Sequence, residues 1–348
     1  MIPPFGLVIR AAIFVLFGLV LCGFVFELAG YSAFLMFRSI AEGAFLHPGA
    51  WKQSLRWAMP LFITATGVAI SFRCGYFNIG AQGQLYMGAI GATFSAHFLN
   101  GASPWILIPV SFAVGTTCGA LWAWWPGILR LKWGADEVIT TLMGNFIAAL
   151  LLVYFTSGIL KDPSGTGQVS SSKPLTAIYR ISTSAGVSWP IIAMTVLTGI
   201  AAWFLINRTS YGVLFSIAGR NPVMIVWQGG KLNRLGLAAF VLSGALAGLS
   251  GCIEVFGPNG RLVSGFLPTH GFTAILIALV ANLSITAIAF IALFFGGLAS
   301  AALYLPVLAG LPAAAIDIIN AAIALFITAK ADVFKFLPRP ARWLPWKT

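Results

Sequence analysis

Two stretches of this chain, Cys74 to Leu129 and Leu262 to Ile316, contain no Asp, Glu, Lys or Arg. Neither can be given the charged coat of a soluble domain. A helix needs about 20 predominantly apolar residues to cross a bilayer, so each stretch must hold at least two crossings. Composition agrees, with 59% of residues hydrophobic and 8% charged, where soluble domains carry about 25% charged residues. The sequence therefore predicts an all-α polytopic membrane protein.

Ten spans fit the chain: about Ala11–Gly30, Leu55–Phe72, Leu85–Leu99, Trp105–Trp125, Glu137–Gly158, Trp189–Ile206, Leu235–Phe256, two within Phe272–Leu303 separated near Asn282–Thr286, and Ala313–Ala329. Tyr31–Lys52 leaves room for one short helix. The longest polar loop is Lys161–Gly186, within a connection of about 159–188, and Arg208–Arg234 reads as a basic loop. With both termini cytoplasmic, thirteen Lys and Arg fall on inner segments and seven on outer ones, as the positive-inside rule requires. The net charge of +12 is thereby explained without nucleic acid as a partner. Arg10 followed by Ala11–Phe26 resembles a secretory signal, but Leu21 before Cys22 is not a small residue, so an uncleaved first span is expected. The four cysteines form no close pair and imply no disulfide framework or zinc site. The whole chain, 1–348, reads as a single transmembrane domain.

No phosphate loop, His-Glu-x-x-His site or Gly-x-Ser-x-Gly elbow occurs, so catalytic residues, a metal site and a cofactor of the chain's own are not expected. Polar residues in apolar surroundings are more informative. Gly75–Gln84 is a Gly-rich break carrying Asn78, Gln82 and Gln84. Such a break suits a discontinuous helix at the bilayer midplane, where transporters bind solutes, or a plain cytoplasmic turn after Arg73. Thr141, Asn145 and Asn282 join the three amides as candidate path residues. Glu254, His270 and Asp317 are the other unusual polar groups, with Glu254 and Asp317 placed near predicted span ends and read as interfacial or structural. Gly115-x-x-x-Gly119 and Gly244-x-x-x-Gly248 read as close-packing faces. Gly75-Tyr76-Phe77 and Gly271-Phe272-Thr273 stand at similar places in the two halves, a weak sign of related halves around the basic loop.

Within that basic loop, Asn221-Pro222 reads as an N-cap followed by Pro at the first helical position. Val223–Gln228 continues the turn and Gly229-Gly230 ends it. A helix this short is unstable alone in water. Its Val223, Ile225, Val226 and Trp227 form an apolar surface outside the bilayer, expected to dock on a partner protein rather than lie on lipid.

These segments together resemble the permease subunits of ATP-binding-cassette importers for simple sugars and nucleosides, the branched-chain amino acid/ribose-like permeases, and their nucleoside branch in particular. Phe77–Gln84 looks like that family's Asn-Ile-Gly-x-Glu-Gly-Gln stretch. Ala135–Asn145 is similar to its next motif, and Ala218-Gly219-Arg220-Asn221-Pro222 with Gly229 to its coupling segment. Ser243–Gly251 and Gly271–Leu279 match its last signatures. The resemblance implies a bacterial inner-membrane permease, a separate ATPase that carries the ATP and magnesium, a second permease chain of paralogous sequence, and an extracytoplasmic binding protein. It assigns ATPase coupling to Gly219, Arg220, Asn221, Pro222, Trp227 and Gly229. Two departures stand out: Gln82 where Glu is usual, and Met224 and Ile225 where small residues are usual, which implies a differently shaped pocket on the ATPase. An ion-driven carrier working alone, with Glu254 or Asp317 as its coupling group, and a non-transporting scaffold or receptor are the alternatives.

Overall fold

A computed structural model describes residues 4–164, 168–181 and 187–336, with side chains described between Leu16 and Leu325 of that range. The basic tail after Phe336 and part of the predicted polar loop lie outside the described residues. Helices account for nearly all regular structure: α1 (Pro4–Leu28), α2 (Ala33–Ala41), α3 (Ala50–Arg73), α4 (Ala81–Phe98), α5 (Pro104–Trp133), α6 (Glu137–Ser157), α7 (Trp189–Arg208), α8 (Ser210–Arg220), α9 (Pro222–Trp227), α10 (Leu232–Glu254), α11 (His270–Val280), α12 (Ile285–Ala301), α13 (Leu305–Leu308) and α14 (Ala315–Phe336). Among the described residues there is no β-strand, only isolated bridges that pair Lys161 with Ser172 and Ser171 with Val263.

Helix starts follow local chemistry. The Asp136 carboxylate accepts the Val138 and Ile139 N–H groups at 2.8 and 3.1 Å, satisfying donors that an α-helix leaves open. Ser32 caps α2 through the Leu35 N–H. Gly134, at φ +65°, ends α5 in the left-handed conformation that favours glycine. α5 runs eight residues past the predicted end at Trp125, through Pro126 to Trp133. Pro126 and Gly127 are buried, and neighbouring helices make such a proline tolerable in a membrane helix.

Five described segments are long and apolar enough to cross a membrane: Ala50–Arg73, Pro104–Trp133, Glu137–Ser157, Trp189–Arg208 and Leu232–Asn259. They divide into two kinds. The most apolar windows of α3 and α10 are 78% and 61% buried inside the protein, whereas those of α5, α6 and α7 are 28–33% buried. α3 and α10 are therefore the axis of the bundle, and the other three turn most of their surface outward. The two small-residue faces meet as the spacing predicts: Gly119 lies against Gly244 and Gly248 across the α5–α10 contact. A side chain at any of these glycines would strike backbone, so the close approach depends on their having none. α4 enters the same contact through Gly88, beside Gly248.

Two expectations change. The predicted eighth span is α11, of 11 residues, which reaches only about 16 Å at 1.5 Å per residue, half of a hydrocarbon core of about 30 Å. The predicted basic loop is largely helical, as α8 and α9. α8 packs on α3, α7 and α10 with Phe215 and Ala218 buried, while Tyr211, Val213 and Arg220 are exposed. The polar connection after α6 is stitched to the one after α10: Ser172, Leu175 and Ile181 donate backbone N–H bonds to Leu262, Gly260 and Phe256 at 2.7–2.8 Å. Tyr179, in a 3₁₀ turn, donates its hydroxyl to the Ala102 carbonyl at 3.0 Å.

Candidate functional site

Between α3 and α4 the helix breaks at Cys74–Gly80, shorter than predicted, because Gln82 and Gln84 already belong to the first turn of α4. The break re-enters the bundle rather than running along its end. Gly75 lies beside Gly219 of α8, but Asn78 donates to the Ser243 hydroxyl at 3.0 Å, and Ser243 is the midpoint of α10. The break is thus packed inside the bundle, against α8 and α10.

Backbone buried inside a bundle must find its hydrogen-bond partners there, and the amides supply them. Asn78 and Gln84 exchange two hydrogen bonds, at 2.9 and 2.8 Å. Asn78 Oδ1 also accepts the Gly80 N–H. Asn145 of α6 accepts the Gly83 N–H at 2.8 Å and donates to the Ile79 carbonyl at 2.9 Å. Thr141 accepts the Ile79 N–H at 3.3 Å. Five of the six predicted path residues (Asn78, Gln82, Gln84, Thr141 and Asn145) thus gather in one buried clasp around the break. Glu137 completes its lower edge, accepting the Phe77 N–H and pairing with Arg130. The Arg130 guanidinium also lies 4.4 Å over the Tyr76 ring. Sequence reasoning named neither Arg130 nor Glu137 as part of the site. A charged pair at the ends of two consecutive helices was the available signal.

Gln82 reaches the other half of the chain. It donates to the Leu267 carbonyl at 2.7 Å and accepts the Gly271 N–H at 2.5 Å. A carboxamide does both at once, whereas an ionised Glu could not donate. The departure from the family pattern at this position thus suits the geometry of this chain. The contact also brings the first turns of α4 and α11 together.

Asn282 is elsewhere. It lies exposed in the α11–α12 turn at φ 50°, beside Leu283, whose carbonyl accepts from Arg73 at 3.0 Å. Asn282 has the αL tolerance such a turn needs, and its polarity serves the turn rather than the clasp. Leu267 and Leu283, just before and after α11, both have positive φ. Each has its carbonyl held by the α3–α4 unit, through Gln82 and Arg73. Glu254, expected to be interfacial or structural, is buried and paired: Arg56 donates to it at 3.0 Å and Asn259 at 3.3 Å.

The second region is the segment α8–α9. Asn221 caps α9 through the Met224 N–H at 3.3 Å, Pro222 occupies its first position, and Gly229 at φ +73° follows its end. Ile225 is 1% exposed and joins the core, whereas Trp227 is 87% exposed. Val223, Met224 and Val226 share the exposed side. Ile225 therefore cannot shape a pocket on a partner; of the two departures noted in this segment, only Met224 can. Arg220, Asn221 and Pro222 are exposed. Gly219 sits against the Arg73 carbonyl and the Gly75 nitrogen, so α8 is seated directly on the start of the helix break.

A bundle with a half-length helix, a mid-depth break and an unpartnered short helix at one end has the organisation of a membrane transport permease. Residues 51–328 match the family described as branched-chain amino acid transport system / permease component, and the chain belongs to that family. Relatives agree in kind. The guanosine ABC transporter permease protein NupP of Bacillus subtilis is 29% identical over 317 residues, 90% of each chain. The glucose ABC transporter permease protein of Haloferax volcanii is 33% identical over 283 residues, 78% of this chain and 73% of that protein. A second guanosine permease of Bacillus subtilis, NupQ, is 23% identical over 210 residues, 57% of this chain and 64% of that one.

Proposed function

We propose that this permease is the membrane-spanning subunit of an ATP-driven importer in a bacterial inner membrane, carrying a nucleoside or a related simple sugar. The observation that carries the reading is the seating of α8–α9. An apolar, capped helix that is exposed at one end of the bundle rests, through Gly219, on the residues where α3 gives way to the break. A partner that grips Trp227 and its neighbours would push on the backbone that leads to Asn78. The partner is a separate ATPase that binds ATP and magnesium, with Gly219, Arg220, Asn221, Pro222, Trp227 and Gly229 as the coupling residues.

In this reading the chain is one domain of about ten spans with both termini cytoplasmic, its coupling segment at about 208–234 inside and the 159–188 connection outside. A binding protein delivers solute at the outer face. A second permease, a paralogue, completes the path, as the two different guanosine permeases of one bacterium suggest. The path passes the clasp, whose amides hold the break in one of two arrangements. ATP binding favours one arrangement and solute release the other, each by its differential affinity.

Reconstitution tests this. With ATPase, second permease and binding protein in liposomes, uptake of labelled nucleoside requires ATP and all four components. Uptake by this chain alone on an ion gradient would instead select the carrier driven through Glu254 or Asp317.

A further inference from the structure

Away from the clasp, a groove of about 670 Å³ runs along the seam between α7 and α12. Both helices pack on α3, but they scarcely meet each other. Met59 and Phe62 of α3 form the floor, Ile200 and Trp203 of α7 one wall, and Ala289 and Leu293 of α12 the other. The groove follows α7 from Thr195 to Trp203, about 12 Å at 1.5 Å per residue.

Water does not suit this space. Its lining is apolar but for two threonines and one tryptophan. The Thr195 hydroxyl is spent on the Ile191 carbonyl of its own helix at 2.8 Å, and Thr286 shares a hydrogen bond with Ser284 at 3.1 Å. An ordered water would need about two to four polar partners. A helix of another subunit does not suit it either. Membrane helices approach one another through small residues, and those of this seam, Thr195 and Gly199, are turned inward, with Gly199 against the Phe62 ring. The rim carries Val196, Ile200 and Leu293 instead, all exposed. Left empty, such a space would cost its lining the dispersion contacts of close packing. A flexible hydrocarbon tail restores them, and the spans of this protein are surrounded by such tails.

One end of the groove is charged. Arg208, the last residue of α7, folds back so that its guanidinium lies 5.6 Å from the centre of the Trp203 ring. No carboxylate pairs with it among the described residues, and no Asp or Glu occurs from Pro163 to Ile253. The α12 wall begins at the same end, with Ser284 and Thr286. Arg73, at the end of α3, donates to the neighbouring Leu283 carbonyl, and Gly75 just beyond it touches α8. α7 gives way to α8 at Thr209, so Arg208 stands at headgroup depth, where tryptophan is also enriched. Apolar walls that end at an unneutralised arginine have the polarity of an acidic lipid, tail first and phosphate last.

The geometry points to a site for one anionic phospholipid, drawn from the leaflet on the α8 side. Its acyl chain lies in the α7–α12 groove and its phosphate pairs with Arg208. The site requires only that the protein spans a bilayer, so it stands or falls independently of the solute carried.

The test places the complete transporter in phosphatidylcholine vesicles with a trace of phosphatidylglycerol that bears a photoreactive diazirine on its acyl chain. A parallel sample carries phosphatidylcholine with the same diazirine, and labelled residues are mapped by mass spectrometry. One favourable arginine–headgroup contact predicts that the phosphatidylglycerol probe labels the α7 and α12 walls about fivefold more than the other. Arg208→Gln should bring the two probes to within about twofold of each other while the walls remain labelled. Ala289→Trp, which fills the groove from an exposed position, should lower labelling by both probes about fivefold or more. Equal labelling by the two probes in the parent overturns the proposal without recourse to any variant. So does a preference that survives Arg208→Gln, and so do walls left unlabelled in the complete complex, as when a helix of the second permease covers the seam.

Discussion

The helix break at Cys74–Gly80 and the short helix α9 are linked through Gly75 and Gly219, yet they hold opposite kinds of surface. In the break, polar groups are buried and paired: Asn78 alone makes contacts to Gln84, Ser243 and Gly80. In α9, apolar groups are exposed and unmatched, with Trp227 87% exposed and Val223 and Val226 57% exposed. Side chains that complete a fold are satisfied inside one chain. Side chains that complete an assembly look unfinished until the partner is present. The same sequence signal, polarity out of register with hydropathy, marked both places, and only their satisfaction tells them apart.

Substitutions should separate the two regions by which measurement they move. Asn78→Leu has the largest expected effect on the chain itself. It orphans Gln84, the Ser243 hydroxyl and the Gly80 N–H, at about 1–3 kcal/mol for each buried group left unpaired. Thermal unfolding of the purified permease in detergent should show a large drop in midpoint, and a parental midpoint would mean the clasp does not hold the break. Trp227→Glu should act on assembly instead. Exposed aromatic anchors carry about 2 kcal/mol or more of an interface, so ATPase co-purification should fall at least tenfold, while unfolding shifts by no more than about 0.5 kcal/mol. Equal association would remove α9 from the ATPase interface. Gln82→Glu is smaller again, about 1–2 kcal/mol of stability, because an ionised carboxylate keeps the Gly271 bond but cannot donate to Leu267. Gln82→Met, which removes both bonds, should unfold at lower temperature than the Glu variant.

Much of this was legible before any coordinates. Asn221-Pro222 with Gly229 predicted a short capped helix over Pro222–Gln228 and its stop, one residue longer than α9, because caps and left-handed glycines are local chemistry. The two Gly-x-x-x-Gly faces were found for the same reason. What was not legible depended on distant partners. Gln82 was named for a solute path, yet it bonds to Leu267 and Gly271, some 185 residues away in sequence. Asn282 looked like Asn145 on a hydropathy profile, but it serves an exposed turn and Asn145 clasps a buried one. Ile225 and Trp227 are both large, apolar and two residues apart, and only one of them faces the core.

The sequence by itself determined that this chain spans a membrane as helices, because charge-free runs of that length leave hydrocarbon as their only compatible surroundings. It also determined where the helix trace is interrupted and that α9 would be capped. The tertiary structure decided how the interruptions are used. It carried Asn78 to the middle of α10 and turned Ile225 in and Trp227 out. Hydropathy measures the average surroundings of a residue, whereas a buried amide's role depends on which single donor or acceptor lies within about 3 Å of it, and that neighbour is chosen by the fold.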